Sequence, residues 1–192
     1  MEVRHPTGHR LHGHYRAHGG VGLIPNANII LMSMRWADPH KFCIIERLSV
    51  SVTVSVAVTA QHIWPLLATF QRQYTANETV NVSSFLPTSG GGRAFLPMAP
   101  PSVTQLVYAN AAAGISGGTR VADDQAFGRV PMFGIGALGT GVFGDFLDYG
   151  NREQFPLILS LNEGFTVSWG ALPLSTGTIV FNFGVEWAEV SN

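Results

Sequence analysis

From Leu48 to Thr59 the chain alternates without a break. Leu48, Val50, Val52, Val54, Val56 and Val58 are apolar, and Ser49, Ser51, Thr53, Ser55, Ala57 and Thr59 between them are small or polar. Successive side chains of a strand point to opposite faces, so this run predicts a β-strand with one face on a core and the other toward solvent or a partner. A helix would scatter the same valines around its circumference. A second alternation lies near the C-terminus. Ile179, Phe181, Phe183, Val185 and Trp187 share one face, and Val180, Asn182, Gly184, Glu186 and Ala188 the other. The aromatic stripe reads as a core face, because burial of such rings dominates core energetics. A platform for stacking sugars is the sharper alternative.

Further strands are expected over 28–36, 42–47, 62–70, 102–109, 127–135, 156–161, 164–170 and 178–190. Pro65 suggests that the third of these is an edge or carries a bulge. Turn-rich stretches fall at 88–92, 114–119, 136–144 and 173–177. Leu157–Leu161 and Phe165–Trp169, joined through Asn162, Glu163 and Gly164, read as a hairpin. No segment carries a helical period. Strands of this number and spacing predict an all-β fold, an antiparallel β-sandwich of jelly-roll type.

Residues 1–27 stand apart. They hold five of the seven histidines (His5, His9, His12, His14 and His18) and show neither period. An extended N-terminal arm is expected there, leaving 28–192 as a single β-sandwich domain. Arg4, Arg10 and Arg16, with His12 and His14, are the expected partner-binding residues. Their charge suits acidic groups on a neighbouring subunit, and the imidazoles add to it at low pH. Pairing of the arm with a neighbour's sheet edge is one geometry for that contact.

Charged residues are only 12% of the chain and the net charge is -1. The usual charged share is about 25%, so a surface this bare suggests cover by neighbouring copies. The balance also argues against a broad basic face for nucleic acid. No uninterrupted apolar run reaches the ~18 residues of a membrane-spanning helix, and no signal peptide is expected. The lone cysteine, Cys43, excludes an intrachain disulfide framework and is compatible with a reducing compartment.

Several motifs look chemical. Gly114-Ile115-Ser116-Gly117-Gly118 matches the nucleophile elbow G-x-S-x-G, which needs a later acid and histidine. No histidine follows His62, so the segment reads as a glycine turn. Gly134–Gly139 and Gly139–Gly144 both fit G-x-G-x-x-G, but glycines continue where the phosphate-binding helix should begin, so this stretch reads as a loop. The spacings His9-x-x-His12, His12-x-His14 and His14-x-x-x-His18 suit metal ligands, yet apart from Glu2 no cysteine or acid of the segment completes a site. Asp123 and Asp124, like Glu186 and Glu189, fall on opposite faces of a strand and do not share a proton. Asp145 and Asp148 offer oxygen ligands for calcium, with solvated loop charges as the simpler reading. The chain is therefore not expected to be an enzyme, and no cofactor or metal is assigned.

One resemblance spans most of the chain. Pro156-Leu157-Ile158-Leu159, Asn162-Glu163-Gly164-Phe165-Thr166-Val167 and Val185-Glu186-Trp187-Ala188-Glu189-Val190 form its final blocks. Met34-Arg35-Trp36-Ala37, a strand starting near Cys43-Ile44-Ile45, and Gly118-Thr119-Arg120 precede them. In this order the blocks resemble a group of uncharacterised, virion-associated β-structured proteins of tailed bacteriophages. The resemblance covers about 34–190 and omits the arm. It implies a structural virion protein, assembled in the host cytoplasm, with the major capsid protein or other virion proteins as partners. The preferred role is a capsid decoration or cement protein, as a homotrimer, with no nucleic-acid or membrane partner. The alternative is a receptor- or glycan-binding module of a head or tail fibre or of the neck. No catalytic residue is carried over.

Overall fold

A computed structural model describes residues 11–58, 64–87, 100–132, 137–149, 156–170 and 176–191, with only the backbone of Leu11, His12, Trp64 and Met132. Among the described residues all regular structure is strand. The strands are β1 (Leu11–Leu23), β2 (Ile30–Trp36), β3 (Lys41–Val56), β4 (Trp64–Ala76), β5 (Val82–Ser84), β6 (Gln105–Ala109), β7 (Thr119–Met132), β8 (Gly141–Asp148), β9 (Leu157–Leu159), β10 (Glu163–Trp169) and β11 (Thr178–Ser191). They form two sheets, both antiparallel throughout, packed as the expected β-sandwich. One sheet runs β1-β11-β3-β8, with β9 also pairing β3; the other runs β5-β6-β2-β10-β4-β7. The pairing is nested. The first strand pairs the last (β1 with β11), β2 pairs β10, β3 pairs β8 and β4 pairs β7.

The alternation of β3 is expressed as expected along most of its length. Leu48, Val50, Val52 and Val54 are buried in the core, and Ser49, Ser51 and Thr53 between them are half-buried on the outer face. Val56, expected on the same buried face, is instead 54% exposed, because β3 ends there. The stripe of β11 is fully in the core: Ile179, Phe181, Phe183, Val185 and Trp187 are all buried. Trp169 of the facing sheet meets Phe181 edge-on, with ring centroids 5.8 Å apart, and Phe181 stacks on Phe183 at 6.4 Å. These contacts lock the two sheets face to face. A separate cluster of Ile44, Ala188 and Val190, with Phe42 packed on it, lies apart from the main core.

The first correction concerns the arm. Residues 11–23 are not an arm but strand β1, paired with β11 of the same chain from Leu11↔Val190 to Leu23↔Ile179. The sandwich therefore begins at least as early as Leu11, not at residue 28. β1 does alternate: Tyr15, Ala17 and Leu23 are buried, while Arg16 and His18 are exposed. Glycines hide the pattern, because space at inward positions is filled by the rings of other residues. A Cβ on Gly19 would sit 2.6 Å from Cγ of Phe85, and the Tyr15 ring lies where a Cβ on Gly13 would be.

Two further expectations fail. Leu157–Leu161 and Phe165–Trp169 are not a hairpin: β9 pairs β3 in one sheet and β10 pairs β2 and β4 in the other. Asn162 does turn the chain, at φ 59°, but the turn carries it across the sandwich. The glycine stretch 136–144 is only partly loop. Gly141 already opens β8, where Gly144 lets Val130 of β7 approach, as a Cβ there would lie 2.6 Å from Val130 Cγ1.

Candidate functional site

Of the five expected partner-binding residues, Arg4 and Arg10 lie outside the described residues, as does the side chain of His12. Arg16 and His14 project from the outer face of β1. Arg16 Nη2 pairs with Glu186 Oε1 at 2.9 Å, and His14 Nε2 pairs with Glu46. Glu46 is the extra residue where the β3–β11 register shifts between Glu186↔Arg47 and Trp187↔Ile45. These charges are thus engaged by the chain's own acids across its own sheet. His14 and His18, neighbours on a helix, are four residues apart on a strand, about 13 Å, too far to share a metal. Among the described residues no group of three or more His, Cys, Asp or Glu could hold a metal ion.

The hydrogen bond to Glu46 is the largest influence on His14 and raises its pKa above the ordinary value, against the opposing effect of burial. A raised folded pKa means stability that is complete below the unfolded value and lost as pH rises through the folded one. Melting temperature is therefore expected to fall as pH rises through the elevated His14 pKa. His14→Gln should flatten that fall; an unchanged slope would assign it to other groups.

The β8/β9 side of the same sheet is different. Val56, Leu138, Phe143, Ile158 and Leu161 are all large and exposed there, Phe143 at 62%. Leu138 and Val56 stand at one end, Phe143 opposite Ser51, and Ile158 opposite Ile44. Phe143 carries the Arg47 guanidinium 5.8 Å from its centroid, while Arg47 Nε donates to Asp145 at 3.0 Å. Asp145 is thus an ion-pair partner. A groove of about 350 Å³ runs beside Phe143, floored by Gly20, Ser49, Ser51, Asn182 and Gly184.

The outer face of the six-stranded sheet carries a buried polar cluster. Its origin is a kink in β4. Gln73 has φ 49°, and the pairing of β4 with β7 slips between Arg72 and Ala76. Leu66 and Ala68 face the core on β4, and a regular strand would send Tyr74 the same way. The kink turns it outward instead, over Gly164, where a Cβ would lie 2.9 Å from Tyr74 Cδ1. The Tyr74 hydroxyl donates to Glu78 Oε1 at 2.8 Å and receives the Ser33 hydroxyl at 2.5 Å. Glu78 also accepts Gly118 N–H at 2.7 Å and pairs with Arg120, whose guanidinium lies 5.6 Å from the Tyr74 ring centroid. Burial raises the Tyr74 pKa far above the ordinary value, so it stays a neutral donor. Gln105 locks the Glu78 backbone with two 2.8 Å bonds, and Arg35 ties down Tyr74 O at 2.6 Å.

Breaking this cluster has a measurable cost. Arg120→Met leaves the fully buried Glu78 carboxylate without its counter-charge. The expected loss is about 3 kcal/mol, the lower end for a broken buried pair, because Arg120 keeps some exposure. Adding Glu78→Gln to that variant should recover part of the loss in urea melts. A double variant no better than the single one would show that the pair is not coupled.

Beside this cluster lies a cleft of about 400 Å³, lined by Ile30, Thr69, Gln71, Thr166 and Ser168 on one side and Gly118, Arg120 and Ala122 on the other. The sequence reading missed Glu78, Tyr74 and Gln71, since three distant segments meet here. Only Gly118-Thr119-Arg120 stood out, and then as part of a resemblance. The remaining motifs have structural employment. Gly114 and Gly117 have φ of 73° and 97°, and Ser116 bridges Val80 through its backbone, so the elbow-like run is a turn. Asp123 binds Arg72 (2.6 Å), and Glu189, fully buried, accepts the only lysine, Lys41, at 3.2 Å and Ser102 N–H at 2.6 Å. Burial raises the Cys43 thiol pKa well above normal, which makes it an inert core residue.

Comparison of the chain with protein-family models, with curated proteins and with solved structures finds no match.

Proposed function

We propose that the chain is a structural protein of a tailed-bacteriophage virion, a decoration or cement protein that binds the major capsid lattice as a homotrimer. The observation that carries this reading is the set of exposed apolar side chains Leu138, Phe143, Ile158 and Leu161 on the β8/β9 side, with Val56 at the end of β3. A surface with few charges and several large apolar side chains left exposed is suited to burial against other subunits. The nested pairing of first with last, second with second-last strand supports it too, because we read that winding as a jelly roll, an architecture common to capsid and lectin domains. Its mechanism is adhesion by many weak copies on a repeating lattice.

The test uses the purified chain added to particles that lack it. Binding should saturate at a copy number in the hundreds per particle, and sedimentation should give a trimer. Phe143→Asp should keep the β spectrum and lose particle binding. Saturation at a dozen copies or fewer would move the protein to a fibre or neck, and undiminished binding by Phe143→Asp would remove the apolar strip from the mechanism. Deleting residues 1–10 alone leaves β1 intact. That variant therefore tests Arg4 and Arg10 as lattice contacts while every described β1 pair remains.

A further inference from the structure

The cleft over the six-stranded sheet has a chemistry of its own. Its floor is polar where an outer sheet face needs only to be wettable: Thr69 and Gln71 from β4, Thr166 and Ser168 from β10. Gln71 is only 2% exposed. Its Nε2 donates to Thr166 Oγ1 at 2.8 Å and reaches Thr69 O at 3.5 Å. Its Oε1 is buried and has no hydrogen-bond partner among the described residues. Reversing the amide lets the Thr166 hydroxyl donate to Oε1 but leaves Nε2 unpaired in its place, so one end of the amide lacks a partner either way. A buried amide group left unpaired costs free energy, so the site is built for a hydrogen-bonding partner that comes from outside. Across the cleft, Arg120 spends Nη1 on Glu78, and no bond of its other N–H groups is formed among the described residues. The Glu78 carboxylate offsets its charge, so the cleft presents N–H donors without a net positive field. Ile30 and Ala122 add apolar wall on either side.

We infer that this cleft binds a neutral polyhydroxylated ligand, a sugar residue, with a ligand hydroxyl donating to Gln71 Oε1 and others accepting from Arg120. Donors, an acceptor and hydroxyls around a small apolar wall match a sugar's own mixture of O–H groups and C–H faces. An anion would meet Glu78 beside Arg120, and a purely apolar ligand would leave Gln71 unpaired. The volume is of the order that holds one or two such residues. The inference stands apart from lattice binding: a decoration protein seated by its β8/β9 side would still present the opposite sheet to a host surface.

The experiment is saturation-transfer NMR on the full chain, free of particles, with glucose, galactose, mannose and N-acetylglucosamine, and with sulfate and N-acetylneuraminic acid as anionic controls. At least one neutral sugar should receive saturation and compete with the others. Gln71→Leu, which removes the unpaired oxygen at similar volume, should weaken binding about tenfold or more, the loss expected for one well-placed hydrogen bond. Ala122→Trp fills the cleft from an exposed edge position without touching the core, and should abolish binding even if Gln71→Leu folds poorly. No transfer to any neutral sugar, transfer that survives Ala122→Trp, or a response to the anions alone would each overturn the inference. In the first case the Gln71 oxygen is satisfied by water only. None of these outcomes bears on particle binding, which Phe143→Asp reports separately.

Discussion

Deletion of residues 1–27 is expected to abolish cooperative folding rather than to detach an arm. The deletion removes β1, and with it the pairing of β11 along Ile179 to Val190. Tyr15, Ala17 and Leu23 leave the core, and Trp187 loses the Tyr15 ring stacked on it at 5.4 Å. The surface pair of Arg16 and Glu186 contributes at most about 1 kcal/mol, so the damage lies in the buried side chains and the bared strand. A 14-residue edge with the apolar stripe Ile179, Phe181, Phe183, Val185 and Trp187 then faces solvent, which is a template for aggregation. Far-UV melts and size-exclusion chromatography read the result. A 28–192 chain that keeps the oligomeric state of the full chain without aggregating, and melts cooperatively near its temperature, would show that β1 is dispensable after all. Deleting only residues 1–10, which leaves every described β1 pair in place, should melt much closer to the full chain than the 28–192 chain does.

What the sequence made legible depended on how each strand meets its neighbours. β3 and β11 lie in the middle of the five-stranded sheet, flanked by strands on both sides. Their inner faces must be filled by their own large side chains, so the period of two is written in valine and phenylalanine. β1 sits at the edge, and its inner face is partly filled from outside: Phe85 occupies the space over Gly19. The burial is real, but the residues that show it are elsewhere in the chain. The β9–β10 segment failed for another reason. Its turn chemistry at Asn162 is right for a hairpin, yet a sandwich uses the same turn to pass from one sheet to the other. The polar cluster was least legible. Ser33, the 74–78 stretch with Tyr74 and Glu78, Gln105 and Arg120 come from distant parts of the chain, and the kink at Gln73 that turns Tyr74 outward has no glycine to announce it. Such a site is fixed by register between strands, which spacing along one strand does not encode.

Phe183→Ala should cost roughly 3–5 kcal/mol, the range for truncating a buried ring in a core that cannot collapse around the gap. Four features place it high in the range. The ring is 1% exposed, and it stacks on Phe181 at an interplanar angle of 4°. Its register partners are Gly19 on β1 and Val50 on β3, so neither neighbour on β1 nor on β3 brings a longer side chain that can swing into the space. Backbone relaxation is also blocked, because β11 is hydrogen-bonded on both sides. Urea denaturation with an unchanged slope and a lowered midpoint is the expected signature. The exposed Phe143 supplies the contrast: Phe143→Ala should alter stability by less than about 0.5 kcal/mol, as surface changes do. If Phe183→Ala melted with the parent chain, the stripe on β11 would not be a core face, and the packing of the two sheets described above would have to be wrong. If instead Phe143→Ala proved the more destabilising, the apolar strip would be holding the subunit's own fold together rather than awaiting a lattice.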